Sequence, residues 1–168
     1  MNETELNAIL AILPGAVIAG GFIRDSLLKK PTRDLDILTE ITPTNQQIQA
    51  LEEHLKTDLY EFSLQEAKEY IAEEGNSFTR TSDIVKLWKD EGNNVVDLIV
   101  VQNVKQHIRE FPDNLSRVWY DKDGLHMMSD FIYGHANKVL RYRKGAPEAR
   151  LEKLKTKFPD YRVELTLA

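Results

Sequence analysis

The order of hydrophobic and polar positions predicts that helices and strands alternate along this chain. Apolar residues recur at helical spacing between Leu6 and Leu13, and Pro14 follows them, so we predict an N-terminal helix that ends there. The apolar run 16–19 is too short for a helix and is typical of a buried strand. The chain therefore begins with a helix and a strand joined by a tight turn.

A glycine pair then separates this strand from a second one. After Gly20 and Gly21, a short helix over about residues 22–30 should end before Pro31, because the residue that precedes a proline disfavours the helical conformation. The segment 35–38 is mostly apolar and predicts the second strand.

The rest of the pattern predicts a mixed sheet with flanking helices, hence an α+β fold. Helical spacing predicts a helix opened by Pro43-Thr44, with Ile48, Leu51 and Leu55 on one face, and further helices at 63–74 and about 103–110. Residues 58–62 predict a strand, and segments 77–89 and 94–101 predict a hairpin around "DEGNN". A turn is expected at "DKDG".

Two closing helices, separated by "KGAP", are expected to dock on the domain through apolar stripes. The stripe residues are Ile132, Ala136, Val139 and Leu140 on the first helix and Leu151, Leu154 and Phe158 on the second. With no internal repeat and no low-complexity linker, we predict one domain over residues 1–125 and a basic helical appendage over 126–168 that packs on it.

Length and composition exclude several classes of protein. A chain of 168 residues is long enough for one domain with a real core. It contains no cysteine, which excludes disulfides, thiolate nucleophiles and cysteine-ligated metals, so a cytoplasmic location is the default expectation, in a host cell if the protein is of phage origin. No apolar stretch approaches the length that spans a bilayer, and the acidic first residues do not resemble a signal peptide, so we expect no membrane partner and no processing.

The charge is distributed unevenly. The net charge is −5, yet residues 136–168 hold nine Lys or Arg against four acids, which leaves about −10 for the rest. A basic segment after an acidic body predicts either a solvated helix face or a surface for phosphate groups. Both interpretations stay open at the level of sequence.

Two aspartates one residue apart carry the clearest chemistry. In a strand, Asp34 and Asp36 would point to the same side and share a cation. Carboxylates suit a hard cation such as Mg²⁺, which takes further ligands from the phosphates of a substrate. Gly20 and Gly21, at the start of a helix, would let the backbone approach those phosphates. Taken singly, the glycines can instead form a turn and the aspartates can be solvated.

Asp97 is a lone acid in the otherwise apolar run 94–101, and it is the best candidate for a third carboxylate. Burying an unpaired carboxylate is costly, so a metal or an arginine partner would explain it. A position on an edge strand that faces water is the alternative. Arg24 has two open roles, because it can reach the phosphates or brace the acidic strand, and a simple pair with Asp25 is also possible.

The stretch "GGFIRDSLLKKPTRDLDI" resembles the head-domain signature of the DNA polymerase beta-like nucleotidyltransferases, in the branch of the tRNA CCA-adding enzymes and bacterial poly(A) polymerases. In that family two aspartates bind the catalytic metals, and a third acid on a neighbouring strand often helps. The resemblance implies that Asp34, Asp36 and Asp97 are catalytic metal ligands. It implies Mg²⁺ at two metal positions, with Mn²⁺ as a substitute.

A second segment, "REFPDN", resembles the part of the family that contacts the incoming nucleotide. The resemblance therefore adds Arg109 and Asn114 to Gly20, Gly21 and Arg24 as nucleotide-binding residues. It extends over about residues 15–124. The base-reading Glu-Asp-x-x-Arg segment of the family does not occur, nor do its tRNA-gripping helical domains, which favours a minimal, freestanding head over ordered CCA addition.

The resulting functional expectation is transfer of a nucleoside monophosphate from a nucleoside triphosphate to a hydroxyl acceptor, an RNA 3′ end being favoured. Arg141, Arg143 and Lys153 of the basic segment are candidates for holding the acceptor. The alternative is a catalytically silent member of the fold that binds RNA, nucleotide or protein as a regulator, in the manner of an antitoxin. The sequence leaves the oligomeric state, the acceptor and the preferred base undetermined.

Overall fold

A computed structural model describes residues 2–32, 34–74, 83–90 and 96–167. The helices are α1 (Glu3–Ile12), α2 (Gly21–Leu27), α3 (Asn45–Leu55), α4 (Leu64–Glu74), α5 (Val104–Arg109), α6 (Ser129–Asn137) and α7 (Glu148–Lys157). The strands are β1 (Val17–Ala19), β2 (Leu35–Thr39), β3 (Leu59–Phe62), β4 (Ile84–Asp90), β5 (Val96–Val101), β6 (Val118–Asp121), β7 (Gly124–Met127), β8 (Val139–Arg143) and β9 (Arg162–Thr166).

The first seven strands form one mixed sheet, which confirms the predicted α+β class. Their order across the sheet is β3-β4-β5-β2-β1-β6-β7. Strands β2 and β5 run parallel at the centre, and the other neighbouring pairs run antiparallel. The chain segment between β2 and β5 contains α3, β3, α4 and β4, so a long connection brings these two strands side by side.

Alternation of side chains along the strands divides the interior into two cores. In β2, Leu35 and Ile37 belong to the core that α1 and α3 cover, whereas Leu38 belongs to the core on the opposite face. Helices α4 and α5 cover that second face through Ala67 and Ile108 among others. The sheet is therefore sandwiched between two helical layers, and both of its faces are apolar over most of their area.

The N-terminal half matches the sequence-based predictions closely. Helix α1 buries its apolar stripe, and α3 begins at a capping box in which the Thr44 hydroxyl accepts from the Gln47 amide while the Gln47 side chain accepts from the Thr44 amide. Helix α2 ends at Leu27, three residues before the predicted end. Strands β4 and β5 confirm the hairpin, although residues 77–82 and 91–95 of that prediction lie outside the described residues.

The C-terminal segment differs from the prediction in two respects. The docking predicted for Ile132 and Ala136 is wrong, because both are exposed on α6, and two strands form where only helices were predicted. Val139 and Leu140 do not continue a helix, because α6 ends at Asn137 and Lys138 takes a left-handed conformation with φ 56°. They lie in β8, which pairs in parallel with β9. The second stripe is confirmed, since Leu154 and Phe158 of the α7 region are buried with Leu140 in a small third core. The two domain limits remain a prediction.

The turn predicted at "DKDG" joins two short strands that the sequence analysis did not predict. Residues Val118–Asp121 and Gly124–Met127 form an antiparallel hairpin at the edge of the sheet. The edge matters for the site because β6 also pairs with β1 and fixes the end of β1 at Ala19. Within the described residues, no helix is both long and apolar enough to cross a membrane.

We expect Gly134→Ala to destabilise the fold despite the higher helix propensity of alanine. A Cβ at this position of α6 would lie 2.2 Å from Nδ2 of Asn114 and 2.8 Å from the carbonyl oxygen of Val139. The clash should cost about 2–3 kcal/mol of unfolding free energy, more than the ~1 kcal/mol gained in propensity. Urea denaturation measures it, with Ile132→Ala on the exposed side of α6 as the control. An unchanged midpoint for Gly134→Ala would contradict the packing described.

Candidate active site

Four strands bring the candidate residues into one row across the sheet. In the strand register, Lys89 of β4 is opposite Asp97 of β5, Asp97 is beside Asp36 of β2, and Asp36 is opposite Ala19 of β1. Directly opposed residues point to the same face of a sheet, so these four side chains share one face. Gly20 follows Ala19 immediately, which places the glycine pair at the end of the acidic row.

Asp36 lies at the centre of this row. Its carboxyl group is partly buried and forms a hydrogen bond with that of Asp97. Burial, the charge of Asp97 and the charge of Asp34 raise the pKa of Asp36 well above its usual value. Asp34 itself is exposed at the residue before β2. The three predicted acids therefore form an electrostatically coupled cluster in which excess negative charge is unfavourable.

Asp97 has a cationic partner, but it is a lysine. Nζ of Lys89 lies 2.6 Å from Oδ1 of Asp97, and the two side chains are 2% and 10% exposed. Burial raises the pKa of Asp97, and the Lys89 ammonium acts in the opposite direction. Asp97 is on a central strand, so the edge-strand alternative is wrong. The sequence analysis missed Lys89. The available signal was its position two residues after Leu87, because a strand places both side chains on the same buried face.

The glycine pair lies beside the acids, with Gly20 buried and Gly21 half-buried. Gly20 has φ 74°, a left-handed conformation that favours glycine, and a Cβ there would lie 3.9 Å from Oδ2 of Asp36. A Cβ on Gly21 would lie 3.2 Å from Nη2 of Arg24. The absence of side chains at both positions thus keeps the backbone close to the Asp36 carboxyl on one side and to a guanidinium on the other.

Arg24 is buried in a polar network behind the glycines. Its guanidinium donates to both carboxylate oxygens of Asp25, at 2.9 and 3.3 Å, and to the Ser116 hydroxyl at 2.9 Å. Asp25 also accepts from Lys157 at 2.6 Å. Burial alone would raise the pKa of Asp25, but Arg24 and Lys157 outweigh it and hold that pKa below its usual value. The Arg24–Asp25 ion pair, one of the roles considered for Arg24 from the sequence, is therefore present. Nucleotide binding by Arg24 stays a prediction.

The two residues predicted from "REFPDN" occupy different environments. Arg109 ends α5 and is exposed. Asn114 is 1% exposed; its amide donates to the carbonyl oxygens of Asp130 and Val139, and its oxygen accepts from the Arg141 amide. These bonds tie the segment after α5 to α6 and β8. They account for the burial of the Asn114 side chain without a bound nucleotide. The nucleotide-binding role of Asn114 stays a prediction.

Most cations of the basic segment have intramolecular partners. Arg141 lies over the Tyr133 ring at 4.4 Å and near Glu164, Arg143 donates to the Glu110 carbonyl oxygen at 3.0 Å, and Lys153 is exposed. Further ion pairs in the segment are Lys138–Asp160, Arg150–Asp113, Lys155–Glu152, Lys157–Asp25 and Arg162–Glu164. This pairing favours the interpretation of the segment as a docked, solvated face.

The donor set fits a hard cation only in part. Coupled carboxylates in one row are the groups that Mg²⁺ prefers, and Mg²⁺ commonly takes one or two carboxylates together with phosphate oxygens. Among the residues that the structure describes, however, no three His, Cys, Asp or Glu side chains form a group able to hold a metal ion. Metal binding by Asp34, Asp36 and Asp97 therefore stays a prediction.

We expect the raised pKa of Asp36 to make the fold less stable as the pH rises. Below pH 3.8, the pKa in the unfolded state, the Asp36 carboxyl is protonated in both states. At higher pH the unfolded state loses this proton first, so the free energy of unfolding decreases until the pH passes the raised pKa of the folded state. Without divalent cations, Asp36→Asn should therefore melt above the wild type by about 3 °C or more at pH 7. The difference should vanish near pH 4. A constant difference across this range would contradict the coupling of the acids.

The mixed sheet that carries this row of acids is similar to the head domains of known nucleotidyltransferases. Residues 16–78 match the family model described as "Poly A polymerase head domain". The solved Thermotoga maritima CCA-adding enzyme complexed with tRNA is 15% identical, with a TM-score of 0.58 over 98% of this chain and 40% of that one. A CCA-adding enzyme with CTP gives 14% identity and a TM-score of 0.59 over 98% and 41%.

The chain therefore has the fold of the head domain of CCA-adding enzymes, and its residues 16–78 are similar to the poly(A) polymerase head domain. The chain spans about 40% of the length of these solved enzymes. At such low identity the structural likeness shows the fold alone. A comparison with curated proteins found no match.

Proposed function

We propose that this protein transfers a nucleoside monophosphate from a nucleoside triphosphate to a hydroxyl acceptor, an RNA 3′ end, and that it requires Mg²⁺. The observation that carries the proposal is the row of Asp36 and Asp97 with Asp34 beside it, ending where the Gly20 backbone lies close to the Asp36 carboxyl. Clustered, partly buried carboxylates are destabilising unless a cation offsets them. A substrate that brings Mg²⁺ and phosphates together matches both parts of this arrangement.

Each group has a distinct role in the proposed reaction. Asp34 and Asp36 would hold Mg²⁺ or Mn²⁺, which neutralises phosphate charge and activates the attacking oxygen when bound. The Gly20-Gly21 backbone would admit the triphosphate beside the Asp36 carboxyl. The acceptor hydroxyl would lose its proton to solvent as its oxygen forms a bond to the α-phosphorus, the bond from that phosphorus to the oxygen that bridges to the β-phosphate would break, and pyrophosphate would leave. Catalysis then consists of positioning and charge neutralisation.

One observation favours a second function, a silent nucleotidyltransferase fold that binds RNA, nucleotide or protein. The Lys89 ammonium already neutralises Asp97, so the cluster is less acidic than three carboxylates would be. A silent member would bind a nucleoside triphosphate or RNA without releasing pyrophosphate. Turnover therefore separates the two functions, whereas binding alone does not.

The experiment that tests the proposal uses total RNA, Mg²⁺ and each of the four labelled nucleoside triphosphates in turn. We expect labelled RNA from at least one triphosphate. The described residues offer no segment identified as a base reader, so a truncated tRNA should not receive C, C and A in order. No labelled product from any triphosphate, with pyrophosphate also undetected, would favour the silent alternative.

For the acceptor, we propose that Arg141, Arg143 and Lys153 contact its phosphates. Replacing all three with glutamine should weaken RNA binding and flatten its dependence on salt, because each phosphate contact contributes about 0.7–0.9 to the logarithmic salt slope. Affinity for the triphosphate should not change. Fluorescence anisotropy at several salt concentrations measures both quantities.

The matched control replaces Lys56, Lys68 and Lys122 with glutamine. These exposed lysines lie outside the basic segment, and their replacement removes the same number of positive charges. An RNA affinity and a salt slope that stay at wild-type values in the Arg141, Arg143 and Lys153 variant would make the segment purely structural.

A further inference from the structure

Lys89 is the most deeply buried cation beside the acidic row. It is 2% exposed, lies on an inner strand of the sheet, and faces Asp97 directly across the antiparallel β4–β5 pair. Burying an ammonium group is costly unless it is paired and hydrogen-bonded, and its 2.6 Å contact with Asp97 meets that need. An apolar side chain would suit this position better if packing were the only requirement.

Lys89 and Asp36 contact Asp97 from opposite sides. The row runs from Lys89 through Asp97 to Asp36, and Asp97 is hydrogen-bonded both to the Lys89 ammonium and to the Asp36 carboxyl. Both contacts lie along the row, so each of them takes up part of the acceptor capacity of the Asp97 carboxylate. Asp34 and the Gly20 edge lie on the Asp36 side, away from Lys89.

A cation that bound Asp97 would approach the Lys89 ammonium closely. Two like charges a few ångströms apart in a buried site repel each other strongly. The described residues also contain no three-acid group able to hold a metal. The repulsion makes Asp97 a poor ligand for a divalent cation as long as Lys89 keeps its charge.

We propose that Lys89 is a positioning residue that keeps Asp97 out of the ligand set of the divalent cation, so that Asp97 orients Asp36 while Asp34 and Asp36 alone bind the cation. The inference rests on the proposed function, and it revises the sequence-based role of Asp97 from metal ligand to hydrogen-bond partner. Lys89 thus sets how strongly the site binds a divalent cation before any nucleotide arrives.

The test measures Mn²⁺ binding to the whole chain by electron paramagnetic resonance, together with melting temperatures with and without Mg²⁺. Lys89→Met removes the ammonium and releases the Asp97 carboxylate, so we expect Mn²⁺ affinity to rise about tenfold or more. Melting should occur at a lower temperature without Mg²⁺, and Mg²⁺ should raise it more than in the wild type. Lys86→Met is the matched control, because Lys86 lies on the same strand in an exposed pair with Glu61.

A double variant keeps the test decisive if Lys89→Met folds poorly. Lys89→Met with Asp97→Asn removes both charges of the pair, so it should be more stable than the single variant and should bind Mn²⁺ with nearly wild-type affinity. If Asp97 were a ligand, the double variant would bind Mn²⁺ at least about tenfold more weakly than the wild type.

The outcomes separate this inference from the proposed function. Equal Mn²⁺ affinities for the wild type and a folded Lys89→Met variant, or weak binding by the double variant, would overturn the inference alone. A wild type that binds no Mn²⁺, with or without a nucleoside triphosphate, would overturn the proposed metal-dependent function as well.

Discussion

Asp36→Ala should lower the rate of nucleotidyl transfer by about a thousandfold or more, because the variant lacks the central carboxyl that would bind the cation beside the reacting phosphates. The same change should leave the fold intact and raise its melting temperature slightly. The reason is the raised pKa of Asp36, which reports burial and repulsion by Asp97 and Asp34 that the alanine relieves. Single-turnover transfer rates and thermal melts measure the two effects.

Asp58→Ala provides the control for this prediction, since Asp58 is an exposed aspartate on the approach to β3. Its rate should equal that of the wild type. Mg²⁺ should raise the melting temperature of the wild type and of Asp58→Ala but have less effect on Asp36→Ala. Normal turnover by Asp36→Ala would refute the assignment of the acidic row as the catalytic centre.

Asp25→Asn should produce the largest loss of stability among conservative polar substitutions near the site. Asp25 is 4% exposed and accepts two hydrogen bonds from the buried Arg24 guanidinium and one from Lys157. Removing the carboxylate leaves Arg24 buried without its counter-charge, which typically costs about 3 kcal/mol. For a chain of this size that corresponds to a fall of about 6–12 °C in Tm.

The pH dependence gives a second signature. The pKa of Asp25 is lowered in the folded state, so its contribution is present above the unfolded value of 3.8 and is lost as the pH falls through the folded value. The deficit of Asp25→Asn should therefore shrink in acid. Lys157→Met is the control, because this half-exposed partner should cost no more than about 1 kcal/mol. Equal losses in both variants would show that Arg24 does not depend on Asp25.

The sequence predicted the local geometry of the site well, because that geometry depends on neighbours along the chain. Gly20 and Gly21 follow a short apolar strand, and Asp36 falls inside the next one, so the turn and the strand could be read from residues a few positions apart. Asp97 was found for a related reason: a lone acid in an apolar run stands out. Its place beside Asp36 follows from the parallel β2–β5 pairing.

Side-chain contacts that depend on the register between strands could not be predicted from the sequence. Lys89 meets Asp97 only because the β4–β5 hairpin aligns them, and a shift of one residue would turn Lys89 to the opposite face. The same limit applies to Val139 and Leu140, whose spacing suits a helix as well as a strand. Their strand forms because Lys138 ends α6 and β9 arrives from more than twenty residues later along the chain to pair with β8.

The most direct test of the central claim follows the fate of the phosphates of the nucleoside triphosphate. The protein is incubated with Mg²⁺, RNA and a triphosphate labelled either at the α-phosphorus or at the γ-phosphorus, with Asp36→Asn in parallel. The account predicts that the α label enters RNA, that the γ label leaves as pyrophosphate in equal amount, and that Asp36→Asn does neither. Entry of the γ label into RNA, or equal transfer by Asp36→Asn, would contradict it.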